Sequence, residues 1–135
     1  MIIKSIEPHL LSCPLPEPVI FRFYGGQRTI YKRDAMVVRI ETQDGAVGYA
    51  PGPASEDAVR KIEKEIAPHL LGQKLVDPSH FVEDMLDKYG DTIWSTAGAV
   101  EVALYDLWGK ANQCSVTDFF GGRKQESVSC YGSAG

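Results

Sequence analysis

Residues 97–122 read AGAVEVALYDLWGKANQCSVTDFFGG. Val100, Ala103, Leu104, Leu107, Trp108 and Ala111 recur at three- and four-residue spacing, the period of an α-helix with one apolar face. A helix is therefore predicted over residues 95–111, with Asp106 and Lys110 placed as an i,i+4 ion pair. Glu101 and Asp106 are five residues apart, about 140° around the axis, so they address different neighbours. They read as salt-bridged structural carboxylates rather than as a shared metal or proton site. Beyond the helix, Ser115 caps a short turn that Gly121 and Gly122 end.

Upstream, the chain divides into strands and then helices. Residues 2–15 are rich in strand formers and are interrupted by Pro8, which implies an edge or a bulge. Residues 35–42 alternate, with Met36, Val38 and Ile40 on one face and Val37, Arg39 and Glu41 on the other; that period of two predicts a sheet with one covered face. Asp44 and Gly45 signal a hairpin turn, residues 46–50 return as a strand, and Pro51-Gly52-Pro53 stops it. Ser55 is the predicted N-cap of the next helix, with Glu56–Arg60 and Asp57–Lys61 as supporting pairs and Val59, Ile62 and Ile66 as its apolar stripe. Pro68 should kink it. Asp77 and Pro78 stand in N-cap and N1 order before a helix burying Phe81, Val82, Met85, Leu86 and Tyr89 and stopped by Gly90. Residues 127–132 have strand character. Strands followed by helices make the class α+β, a three-stranded antiparallel meander and a small helical bundle.

At 135 residues the chain is too short for a complete (β/α)₈ barrel of about 250. Its net charge of −4 argues against non-specific binding to nucleic acid or anionic membranes. No apolar run reaches the roughly 20 residues of a membrane span. The N-terminus lacks signal-peptide features, so a cytoplasmic location is expected. Cys13, Cys114 and Cys130 form no C-x-x-C pair, and His9, His69 and His80 show no ligand spacing; no metal site is predicted. Gly25-Gly26-Gln27 fits neither a dinucleotide nor a P-loop fingerprint.

Residues 15–34 form the one unusual local composition. Phe21, Phe23, Tyr24 and Tyr31 alternate with Arg22, Arg28, Lys32 and Arg33 around Gly25 and Gly26, a cationic segment in an acidic chain. Two readings stand at this point. One is a mobile loop offering cations and aromatics to an anionic small molecule. The other is a strand extension whose aromatics pack and whose arginines are solvated. Taken by itself, the chain shows no assembled active site.

The stretch with which we began resembles a motif of the enolase superfamily, in its mandelate racemase/muconate lactonizing group. The matching residues are Ala97, Glu101, Ala103-Leu104-Tyr105-Asp106-Leu107, Gly109-Lys110 and Phe119-Phe120-Gly121-Gly122. The chain departs from the group's frequent patterns at Gln113-Cys114-Ser115 and at Gly48-Tyr49-Ala50. The resemblance implies an N-terminal capping domain over residues 1–122, then a link and a first barrel strand over 123–135, the rest of that barrel being absent from this chain. It implies a parent enzyme that is an isomerase or acid-sugar dehydratase, using Mg²⁺ to abstract the proton α to a carboxylate and to stabilise the enediolate. The acid/base groups and metal ligands would lie on later barrel strands, so this chain alone is expected to be inactive and to hold no catalytic or metal-binding residue. It also favours the loop reading, with Arg22, Tyr24, Arg28, Pro51 and Ser133 as substrate contacts. A small carboxylate substrate and a homo-oligomeric state are the expected partners. The competing reading is a stand-alone, non-catalytic binding or assembly module on the same fold.

Overall fold

The computed structural model describes residues 1–132; Ser133 lies outside the described residues. The meander forms as expected, from strands β1 (Ile3–Phe23), β2 (Gly26–Thr42) and β3 (Val47–Gly52) in the antiparallel order β1-β2-β3. Met36, Val38, Ile40 and Thr42 are buried while the residues between them are half-buried, so the alternation reads the covered face correctly. Gly45 takes φ 87° in the β2–β3 turn, where a left-handed residue matches the strand twist.

The first two strands are far longer than their sequence signals. β1 spans 21 residues and β2 17, and the ladder runs to Phe23↔Gly26. Of the two readings of residues 15–34, the ladder realises the strand extension rather than the loop that the resemblance favoured. Pairing shifts register between Pro14↔Lys32 and Val19↔Ile30, so that residues 15–18 of β1 stand opposite Tyr31 alone. That bulge holds Pro16 and Pro18, which have no ladder donor, and it is what broke the strand signal. Because β3 ends opposite Met36, the ten residues of β2 beyond it project with β1 as a two-stranded arm of about 30 Å at strand rise.

Ser55 caps α1 (Glu56–Lys61), its hydroxyl accepting from the Ala58 N–H at 3.1 Å. Asp57 pairs with Lys61 at 2.9 Å and also with Arg60; Glu56–Arg60 is not an ion pair among the described residues, because Arg60 turns to the nearer Asp57. Pro68 acts on the turn before it. Residues Ile62–Ile66 widen into a π-helical turn, with the Ala67 N–H donating to Ile62 O, before α2 (Ala67–Leu70). The wider turn relieves the clash of the proline ring with the preceding carbonyls.

The next helix, α3 (Phe81–Tyr89), begins later than its sequence signal. Asp77 instead accepts from the Ser79 N–H at 2.9 Å in a local turn, and such turns compete with helix. Its predicted apolar face is buried or half-buried throughout. A 3₁₀ turn (Asp91–Ile93) leads into α4 (Trp94–Asn112), and α5 (Val116–Phe119) follows. Ala111, assigned to the apolar stripe, is exposed, because α4 outruns the sheet there. Residues 127–132 form no strand: a strand needs a ladder partner, and none stands beside them among the described residues.

The core lies between the sheet and α4. Met36, Val38 and Ile40 meet Val100, Ala103 and Leu107, with Ile62, Ile66 and Ile93 closing one end. Each of the larger of these side chains, Ala103 apart, contributes about 1.5–3 kcal/mol by its burial. Close approach of α4 to β3 depends on Gly48, where a Cβ would lie 2.3 Å from Ala103 O and 2.7 Å from Leu107 Cβ.

Candidate functional site

Asp106 is the residue through which the opening motif fixes β3. Its Oδ2 accepts from the Tyr49 N–H at 2.8 Å and from Lys110 Nζ at 2.6 Å. Lys110 also donates to Val47 O at 3.0 Å. One carboxylate and one ammonium thus occupy main-chain groups that an edge strand would leave to water. The ion pair was legible; its grip on a strand 57 residues away was not. Glu101 turns instead toward α3, beside Val82 and Glu83 in a 330 Å³ cleft. Burial, and then the Glu83 charge, raise its carboxyl above the usual range, while a bond with the Val82 backbone opposes them. It is not salt-bridged among the described residues, which corrects half of that expectation.

The strand that this clasp holds by its first half carries Pro51 near its far end, opposite Val37 on β2. Beyond it Ser55 donates its backbone N–H to Pro53 O at 2.9 Å and α1 begins. Between this loop and the base of the arm lies a cleft of about 220 Å³, where Ser12 and Lys32 face Ala54 and Ser55. There Ser12 Oγ donates to Asp34 at 2.6 Å and Lys32 pairs with the same carboxylate at 2.9 Å. The Ser12 hydrogen bond first, then that to Lys32, lower the Asp34 pKa. Sequence reading passed over this cluster, since it forms only when the strands pair.

The arm carries the other candidates. Tyr24 is fully exposed at the turn, beside Gly25 at φ 98°. Directly paired residues share a face, so the pair Phe21↔Arg28 and the pair Arg22↔Gln27 point to opposite sides. Three extra residues in the bulge, an odd number, exchange the two alternating sets of β1. Val19, Phe21 and Phe23 consequently share the face of Ile30 and Met36, and the rings of Phe21 and Phe23 stack at 6.3 Å. Arg22 and Ile20 lie on the outer face with Tyr31 and Arg33. None of Arg22, Arg28 and Arg33 is ion-paired among the described residues.

The structure thus brings Arg28 and the two phenylalanines together, sets Arg22 behind them, and leaves Pro51 apart. Nine residue steps along β2 separate Val37 from Arg28, roughly 30 Å. Among the described residues no three His, Cys, Asp or Glu side chains converge as metal ligands, so they offer no fit to Mg²⁺. No helix among them is long and apolar enough to cross a membrane.

Residues 22–121 match the model of the mandelate racemase / muconate lactonizing enzyme N-terminal domain. The chain is 31% identical over 105 residues to the L-rhamnonate dehydratase of Saccharopolyspora erythraea, covering 74% of this chain and 27% of that protein. It is 31% identical over 130 residues to the L-Ala-D/L-Glu epimerase of Bacillus subtilis, covering 90% and 34% respectively. A solved racemase from Streptomyces coelicolor A3(2) with bound magnesium superposes with a TM-score of 0.67 at 22% identity, over 82% of this chain and 33% of that one. The chain therefore spans about a third of the length of the proteins it matches. Matched by that family model over residues 22–121 and 31% identical to two of its curated relatives, this chain belongs to the mandelate racemase / muconate lactonizing enzyme family of the enolase superfamily.

Proposed function

We propose that this chain is the cap of a Mg²⁺-dependent enzyme that abstracts the proton α to the carboxylate of a small acid, an isomerase or acid-sugar dehydratase working as a homo-oligomer. The observation that carries the reading is the projecting arm, where unpaired arginines and exposed aromatics stand on a domain matched to this family. Arg28 and Tyr24 bind the substrate's anionic or hydroxylated distal end, Arg22 adds charge from the outer face, and Pro51 shapes the second loop. Ser133 completes the contact set from the start of the barrel. Burying these groups over a substrate excludes water and strengthens each charged hydrogen bond. Metal ligands and the acid/base group belong to a barrel outside these residues, so no chemical step is assigned to the cap itself.

Exchange of the substrate's α-proton for deuterium, followed by NMR across a panel of sugar acids and N-acyl amino acids, tests the reading on the complete enzyme. Arg28→Ala and Tyr24→Phe should raise KM with kcat little changed, the pattern of lost binding away from the reacting atoms. Unchanged KM in both variants would refute the assignment. Calorimetric titration of the 135-residue chain with Mg²⁺ should show no micromolar binding; a micromolar site would place the metal ligands in the cap after all.

A further inference from the structure

Beyond the bulge, the inner face of the arm offers a narrow chemistry. The ladder places Val19, Phe21 and Phe23 of β1 on it, with Gly26, Arg28 and Ile30 of β2. Val19, Phe21 and Phe23 are 46%, 37% and 52% exposed, and the two rings stack with centroids 6.3 Å apart. Arg28 stands directly across from Phe21 and has no ion-pair partner among the described residues.

This surface donates hydrogen bonds and accepts almost none. A guanidinium carries five N–H donors and no acceptor, and its neighbours on the face are apolar or glycine. Main-chain N–H and C=O groups lie in the plane of the ladder, not on its faces. Tyr24, at the turn, brings a single hydroxyl. The carboxylates along the arm are Glu17, in the bulge four residues before Phe21, and Asp34. Asp34 is six residue steps from Arg28, roughly 20 Å, and is already engaged by Ser12 and Lys32.

A polyhydroxylated chain fits such a face badly. Each hydroxyl is donor and acceptor at once, so hydroxyls laid on the rings or against the guanidinium keep protons without acceptors once water is excluded. A planar apolar body ending in a carboxylate is the complement. It covers the rings, and its two terminal oxygens meet the guanidinium fork.

We propose that the substrate taken under the arm is an acid whose α-carbon bears an aromatic body ending in a second carboxylate. Phe21 and Phe23 cover the body and Arg28 binds the far carboxylate; none of the three touches the reacting atoms. The inference rests on the cap reading above and narrows it from small acids in general to one class, away from polyhydroxylated acids.

The test is α-proton exchange by the complete enzyme, followed by NMR, on three 2-hydroxy acids: one bearing a 4-carboxyphenyl group, one a phenyl group, and one a polyhydroxylated chain ending in a carboxylate. The same three groups on N-acetylated 2-amino acids form a parallel set. In kcat/KM the 4-carboxyphenyl acid should exceed the phenyl acid by about 10–100-fold, the range for charge-assisted hydrogen bonds. It should exceed the polyhydroxylated diacid by about 100-fold, as an apolar surface rejects hydroxyls. Arg28→Ala should erase the first margin and Phe21→Ser reduce the second, while Arg33→Ala, on the outer face, should leave both in place. Fastest exchange with the polyhydroxylated diacid, or an aromatic preference indifferent to Arg28→Ala and Phe21→Ser, would overturn this inference and leave the cap reading standing. No exchange with any acid of either set or of the wider panel would overturn both.

Discussion

Replacing Gly48 by alanine probes the joint on which the cap depends. The added carbon would stand 2.3 Å from Ala103 O, 2.7 Å from Leu107 Cβ and 2.8 Å from Leu107 N, where ordinary contact begins at 3.4 Å. Two of these atoms are backbone, so no rotamer change relieves them, and β3 must separate from α4 by about 1 Å. Overpacking costs about 1–3 kcal/mol. The rigid backbone and the stretched Asp106 bond put this case at the upper end, about 3 kcal/mol. With a urea m-value of about 2 kcal/mol/M, the midpoint should fall by about 1.5 M. The thermal midpoint should fall by about 10 °C. Gly98→Ala is the control: no atom lies within 4 Å of its added carbon, and alanine in a helix should gain about 0.5–1 kcal/mol. A Gly48→Ala protein within 0.5 kcal/mol of the parent, itself a small effect at about 5–15 kcal/mol total stability, would refute the close-approach argument. So would a Gly98→Ala protein destabilised to the same extent.

Asp106→Ala should cost about 2 kcal/mol, as expected for losing charge-assisted hydrogen bonds, and should speed hydrogen exchange at the Tyr49 amide; unchanged exchange there would count against the clasp. Glu41 accepts from Lys4 at 2.7 Å and pairs with Arg39 at 2.5 Å, and these bonds, Lys4 first, lower its pKa. Its stabilising effect is therefore present above the unfolded carboxylate value of about 4.3 and is lost as pH falls through the lower folded value. Glu41→Gln should flatten the acid limb of the stability profile below about pH 4, and an unaltered limb would exclude this residue as its source. Phe119→Ala removes the ring stacked 4.0 Å over Trp108, which should cost about 1–2 kcal/mol and shift the tryptophan emission; a constant spectrum would show that the stack is not maintained in solution.

Features that were legible in the sequence are those set by near neighbours. The alternation at Met36, Val38 and Ile40, the turn at Gly45, the Ser55 cap and the α4 stripe from Val100 to Leu107 depend on residues a few positions apart, and these are realised; the stripe fails only towards its end, at Ala111. Features set by distant partners were not legible. Gly48 looks like any strand glycine until Leu107 is against it, and Asp106 looks like half of a helical pair until Tyr49 donates to it. The arm stood only as the alternative to a loop because four residues of β1 face one of β2, which interrupts the period of two that marks a strand. The candidate contacts were chosen by residue type, and type carries no information about which face a paired strand turns them to. Arg22 and Arg28 therefore separate, and the Ser12–Asp34–Lys32 cluster emerges only from the ladder.

The bulge over residues 15–18 also makes the arm a parity device. The odd surplus on β1 lets Phe21 and Phe23 share a face with Met36 although Leu10 and Ser12, of the other parity, hold that face below the bulge. Because the bulge absorbs unequal strand lengths, a one-residue slip of the pairing beyond it would exchange the aromatic set of β1 for the set holding Arg22 while every pair from Ser5↔Glu41 to Pro14↔Lys32 kept its place. A change of register confined to the arm can thus rewrite what it presents, with no change to the core beneath it.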